Sequence, residues 1–243
     1  PSVTHSDAWP LRAKRWSERL SMSWQERYTC GMMQFWPSLK SDLCTTDFTR
    51  LAGRDSREIL LEEFRRSSQM DRIDAYLNAD VAYYLPDALL VKVDIASMAH
   101  GLEARSPLLD HEFMEFAAAL PSDLKLRGRN TKYIFKRAIR GLLPPEVIDR
   151  PKKGFSVPLD HWFRHELKEM AYDLLLDRRT LQRGYFRAGA VKQLLDEHVG
   201  GTHDWSDQLW NLLMLEFWHR TFIDSRPAVP SQMQYVEVPL EAR

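Results

Sequence analysis

Apolar residues along this chain recur mostly at the three-and-four spacing of helices, and only a few stretches alternate with the period of a strand. The segment 7–35 carries tryptophans and long side chains suited to a helix that Pro37 ends. Ser56 to Arg66 reads as a charged amphipathic helix with Ile59, Leu60 and Phe64 on one face. From Asp71 to Tyr84, Ile73, Leu77, Val81 and Tyr84 form an apolar stripe expected to face a core. Pro86 then fits the first turn of a new helix running to about His100, with Asp87 at the positive end of its dipole and Gly101 as its stop.

Ser106 precedes Pro107 and is pushed out of the helical region, so LEARSP is expected to be extended or turning. Asp110 caps a helix through Phe113, Phe116 and Leu120 that Pro121 closes. A basic amphipathic helix opened by Thr131 covers 131–141. LLPPEVIDRPKKGFSVPL is a proline-punctuated loop with one helical turn. Helices resume at Leu159 to Asp177, Ala188 to His198 and Trp205 to Phe222, and the tail 225–243 reads as extended or poorly ordered. The fold class predicted is mainly α over 1–224, with any parallel sheet lying upstream.

Composition narrows the function classes. Hydrophobic residues make up 44% of 243, enough for a sizeable core. Thirty-four Lys and Arg balance thirty-four Asp and Glu, so no net field draws the chain to nucleic acid or an anionic membrane. Cys30 and Cys44 belong to no CxxC or Cys/His cluster, so neither a zinc site nor a disulfide framework is expected, and a reduced, cytoplasmic setting fits best. No apolar run approaches the roughly 20 residues that cross a bilayer. The start PSVTHSDAWP has neither a methionine nor a signal-peptide pattern, which suggests a chain beginning inside a longer protein.

Two segments place charge amid apolar and proline-rich sequence. In VDIASMAHGLEARSPLLD, Asp94, Glu103, Arg105 and Asp110 lie close together, and a carboxylate on a rigid turn after a helix can be buried beside a substrate and take a proton from an attacking amine. The alternative is a structural ion pair between Glu103 and Arg105 that ties two helices together. In DRPKKGFSVPL, Lys152 and Lys153 could present an ammonium to a phosphate, with Gly154 allowing close backbone approach; the alternative is a solvated basic loop.

Taken together, LPDALLVKVDIASMAHGLEARSPLLD and the later LLPPEVIDRPKKGFSVPL resemble the asparagine synthetase family in order and spacing, from about Asn78 to Arg164. The resemblance implies the helical C-terminal part of an α/β adenine-nucleotide-binding synthetase domain, its nucleotide-binding sheet largely missing. It implies a glutamine-hydrolysing carbon–nitrogen ligase that adenylates a carboxylate, aspartate first among the candidates, and amidates it with glutamine-derived ammonia. ATP and Mg2+ are the cofactors expected of the full-length enzyme. Glu103 corresponds to the acid/base residue of amide formation and Lys152 to the lysine that stabilises negative charge, with Asp94 and Arg105 as supporting residues. Glu103 is expected to be buried and to share a pocket with Lys152.

The family's ATP loop, its acidic GDGGDELF-like segment and its glutaminase domain have no counterpart in this sequence, and the ATP loop is expected upstream of Pro1. The chain alone is therefore expected to bind no ATP tightly and to be inactive. A homo-oligomer is among the assemblies left open, as is the physiological acid. β-Lactam-forming and cell-envelope-amidating relatives fit the same motifs, with Tyr83 and Tyr84 candidates for a tyrosine partner of the glutamate. A non-catalytic helical module, presenting some of the eight tryptophans to a partner chain, is the alternative from another class.

Overall fold

The computed structural model describes residues 22–151, 154 and 157–224. These are mainly helical, as the periodicity predicts. The chain divides into two compact units, one containing Gln34–Leu51 and 157–224, the other 22–33 and 52–151. The tail 225–243 and most of the stretch 7–35 lie outside the described residues. So does Pro1, the position upstream of which the ATP loop is expected, and the structure therefore leaves that expectation untested.

The first unit has the larger core. It is built from α2 (Pro37–Leu43), α11 (Leu159–Arg164), α12 (Lys168–Leu175), α13 (Arg178–Gln182), α14 (Ala188–Val199) and α15 (Ser206–Trp218). Leu43, Phe163, Leu195, Leu209 and Leu213 are almost completely enclosed and form one cluster, with Phe35, Trp36, Phe186 and Trp205 packed around it. The sequence predicts one helix from 159 to 177, but the chain breaks at His165 (φ −127°, ψ −91°), whose N–H still reaches the carbonyls of His161 and Trp162. The bend lets α11 and α12 each press an apolar face, Phe163 on one and Ala171 with Leu175 on the other, into the same core. Pro37 does not end a helix; it opens α2, where its missing N–H needs no partner.

The second unit comprises α1 (Trp24–Met32), α4 (Arg57–Arg66), α5 (Arg72–Ala79), a π-helical stretch (Asp80–Leu90), α6 (Val91–Met98), α7 (His111–Ala119), α8 (Ser122–Lys125), α9 (Tyr133–Ala138) and α10 (Pro145–Ile148). The short helix α3 (Thr46–Ala52) lies at the boundary in sequence between the two units. A capping box between Ser23 and Glu26 starts α1. Phe64, Ala75 and Ala79 are buried against an aromatic cluster of Trp24, Tyr28 and Tyr76, in which Tyr28 and Tyr76 stack and Trp24 meets Phe64 edge-on at 5.1 Å. The Tyr28 hydroxyl donates to Asp80.

Several expectations are corrected in this unit. The two helices foreseen on either side of Pro86 are one continuous helical run from Arg72 to Met98. A proline inside an α-helix collides with the carbonyl four residues back, and the wider π turns, closed here by the Val91 N–H on the Pro86 carbonyl, accommodate it. The apolar stripe on the first part of that run does not face a core: Leu77, Val81 and Tyr84 are each more than 40% exposed, while the small faces of Ala75 and Ala79 are enclosed. Alanine permits the close approach that the aromatic cluster requires, so burial follows the small residues. On α4, by contrast, the large Phe64 is the residue enclosed, within the aromatic cluster, and Ile59 is exposed.

The helix expected from Thr131 starts later. Thr131 instead pairs with Leu126 in a two-stranded antiparallel ladder, β1 (Leu126–Arg127) with β2 (Asn130–Thr131), turned at Gly128, whose φ of +61° suits glycine. Lys132, left-handed at φ +56°, then leads into α9. Other expectations hold: Gly101 (φ +65°) ends α6 with the Leu102 N–H on the Ser97 carbonyl, Asp110 accepts from the Phe113 N–H to cap α7, and one helical turn, α10, interrupts the proline-rich loop.

Candidate functional site

The segment from Asp94 to Asp110 is placed by two rigid features, the Gly101 stop and the Asp110 cap. Asp94 lies in the first turn of α6 and is exposed. Glu103 and Arg105 stand on the extended piece that follows, 69% and 85% exposed at their side chains, with Arg105 Nε donating to Glu103 Oε1 at 2.7 Å. Of the structural ion pair weighed from sequence the pairing is present, but as an exposed local contact two residues apart on one extended piece, not as a tie between two helices. The expected burial of Glu103 is not present, because among the described residues no side chain of the unit covers this turn: the π stretch, α6 and α7 have no buried residue. Lys152 lies outside the described residues, so its predicted convergence with Glu103 is not described.

An open apolar groove of about 670 Å³ adjoins the exposed stripe. Leu77 and Val81 from the helical run form one wall, and Leu108, Met114, Ala117 and Ala118 the other. At one end Lys125 Nζ donates to Asp74 Oδ1 and to the Ala118 carbonyl, both at 2.7 Å. Ile95, Met98, Leu102, Leu108 and Phe116, around the Glu103 turn, are all at least half exposed. Apolar area on this scale signals a surface that takes a partner.

Sequence reading overlooked two polar clusters in the first unit. Glu216 is 2% exposed and lies between two guanidiniums: Arg183 reaches both its oxygens (2.7 and 3.0 Å), and Arg220 donates to Oε1 at 2.6 Å. Arg183 also holds Asp224, and Arg220 holds Asp177. Burial pulls the Glu216 carboxyl up, but the hydrogen bonds from Arg183 and Arg220 outweigh it and leave the pKa below its ordinary value. The i, i+4 spacing of Glu216 and Arg220 was the one legible signal.

The second cluster is Asp160, His198 and Asp204, whose ligand-type atoms lie within 4.8 Å of one another. His198 is fully enclosed. Its Nδ1 accepts the Trp205 N–H at 3.0 Å, which puts the ring proton on Nε2, 3.2 Å from the Asp160 carbonyl oxygen. Arg164 Nη2 sits 2.6 Å from Asp160 Oδ1, an ion pair whose angle falls short of a hydrogen bond. With both ring nitrogens engaged and a guanidinium beside the carboxylate, this cluster ties α11, α14 and the start of α15 together and offers no open ligand set. Burial, then the Arg164 charge, hold the His198 pKa below its usual value against the pull of the Asp160 carbonyl and the Asp204 carboxylate.

Comparison with known proteins gives the family. The asparagine synthase family model matches residues 3–220. Asparagine synthetase [glutamine-hydrolyzing] 1 of Bacillus subtilis (strain 168) is 31% identical over 216 residues, covering 89% of this chain and 33% of the relative. A putative asparagine synthetase [glutamine-hydrolyzing] of Mycobacterium bovis is 32% identical over 240 residues, 92% of this chain and 35% of the relative. The asparagine synthetase [glutamine-hydrolyzing] of Gallus gallus is 31% identical over 147 residues, 52% and 25%. No solved structure matches. The chain belongs to the asparagine synthase family, and it spans about a third of the length of the first of these relatives. Among the described residues, no helix is long and apolar enough to cross a membrane.

Proposed function

We propose that this chain serves as the helical part of a glutamine-dependent, asparagine synthetase-type carbon–nitrogen ligase, working together with further segments of the kind its relatives possess. The observation that carries this reading is the family match over 3–220, which includes the Asp94–Asp110 turn intact. The uncovered apolar face around that turn supports it, because such a face is costly unless another body covers it.

The described residues do not by themselves fit ATP: they contain no glycine-rich loop leading into a helix N-terminus, and Arg105 is already committed to Glu103. ATP, with Mg2+, would be held by other segments of the complete enzyme and would supply the activation of the carboxylate, aspartate first among the candidates. The chain's own part is the amide-forming step. Glu103 would take the proton from the incoming nitrogen, supplied as ammonia from glutamine, as that nitrogen attacks the activated carbonyl and the C–O bond to the leaving AMP breaks. Lys152 sets a positive charge against the negative charge that develops, an effect that grows as water is excluded. Arg105 holds the Glu103 carboxylate in place until substrate enters, and Asp94 helps to fix the turn.

In the complete synthetase carrying this chain, Glu103→Gln is expected to abolish amide formation while adenylation persists as exchange of pyrophosphate into ATP. Parallel loss of both would assign Glu103 a structural role. On its own the chain is expected to show no tight ATP binding, and low-micromolar binding in a calorimetric titration would contradict this.

A further inference from the structure

The first unit has a second concavity, distant in sequence from the Glu103 turn, between α2 and α14. It encloses about 160 Å³ and is lined by Trp36, Leu39, Asp42, Gln193, Glu197 and Trp205 among others, with no lysine, arginine or histidine in its wall among the described residues. Trp36 and Trp205 stack there with ring centroids 5.7 Å apart and 25° between planes. The His203 ring also packs on Trp205, 4.0 Å between centroids. Glu197 is held in one orientation by two neutral donors, Trp205 Nε1 at 2.7 Å on Oε2 and Gln193 Nε2 at 2.7 Å on Oε1. Those bonds position its charge without neutralising it. Among the described residues the Asp42 carboxylate has only the Ser41 hydroxyl, at 3.5 Å. Arg187, one of the nearby cations, directs its guanidinium onto the backbone carbonyls of Ser41 and Asp42. Glu197 also lies in the last turn of the twelve-residue helix α14, where the helix dipole adds negative potential.

We propose that this pocket binds the ammonium head of a small organic cation. Two negative charges, that of Glu197 held by its two donors and that of Asp42 exposed, beside the Trp36 indole in one concavity are the chemistry that selects an alkylammonium group over a neutral one. The volume suits a head group alone; pockets for drug-sized molecules begin at roughly 300 Å³. The head can come from a free amine or from a lysine side chain, and the two sources are separable by experiment.

The test uses the full chain, ¹⁵N-labelled, at a pH about one unit above the ordinary histidine value, and follows the indole N–H resonances of Trp36 and Trp205. Choline and N-acetyl-lysinamide are titrated in parallel with 3,3-dimethylbutan-1-ol, the uncharged isostere of choline. Saturable shifts of these two resonances with one or both cations, and none with the alcohol, support the proposal, and the tighter-binding cation names the source. Glu197→Gln keeps an acceptor oxygen for the Trp205 indole N–H, and the exposed Gln193 can turn its own amide oxygen to the new NH2, so the fold persists; the substitution should weaken binding about tenfold or more, as should Trp36→Leu, which also removes a ring face. Equal shifts with the neutral isostere, unaltered affinity in Glu197→Gln with its spectrum otherwise intact, or no response to either cation would overturn it.

Discussion

Replacing Glu216 by glutamine keeps the shape of a side chain that is 2% exposed and removes its charge. The carboxylate accepts three short hydrogen bonds, two from Arg183 and one from Arg220, at 2.6 to 3.0 Å. A hydrogen bond to a charged group contributes about 1.5–3 kcal/mol, and breaking a buried pair by removing one partner costs about 3–5 kcal/mol. Asp224 and Asp177 still neutralise the two guanidiniums after the substitution, which places the loss near the lower bound, about 3 kcal/mol. For a chain of this size that is a fall of about 6–12 °C in Tm. Urea and thermal unfolding followed by tryptophan fluorescence read this directly, since Trp205, Trp210 and Trp218 lie in the same unit. The pH dependence adds a sharper check. The folded carboxyl titrates below its ordinary value near 4.5, so its stabilisation is complete above that value and lost as pH falls through the lower folded pKa. The gap between wild type and Glu216→Gln should therefore be full at pH 7 and shrink on acidification below about 4.5. A loss under about 1 kcal/mol at pH 7, or a gap that does not change with pH, would refute the reasoning.

Two further outcomes are expected. His198 is held neutral with its pKa below the usual histidine value, so the first unit should be most stable above about pH 6.5 and lose stability as pH falls from there; His198→Asn, whose carbonyl can still accept the Trp205 N–H, should flatten that slope in denaturant titrations at pH 7 and 5. Leu213→Ala, at a position with no exposure inside the main cluster, should cost about 2–5 kcal/mol by urea unfolding, and a cost below about 1 kcal/mol would mean that this core is not close-packed.

The mainly helical class, the Gly101 stop, the Asp110 cap and the family were all legible in the order of residues, because periodicity, caps and motif residues are local chemistry readable one segment at a time. The rest depended on neighbours distant in the chain. Whether Pro86 opens a helix or is absorbed in a π stretch depends on whether the residues before it are already helical and committed to the Tyr28–Phe64–Tyr76 cluster. Whether Leu77 or Ala79 is enclosed depends on how closely that aromatic cluster approaches, and periodicity alone ranks leucine first. The ion pair at Glu103 was legible, yet its exposure was not, since burial belongs to whatever covers a residue and not to the residue itself. The Glu216 network and the Trp36–Trp205 pocket join residues tens to more than a hundred positions apart, and only folding brings their charges and rings within reach of one another.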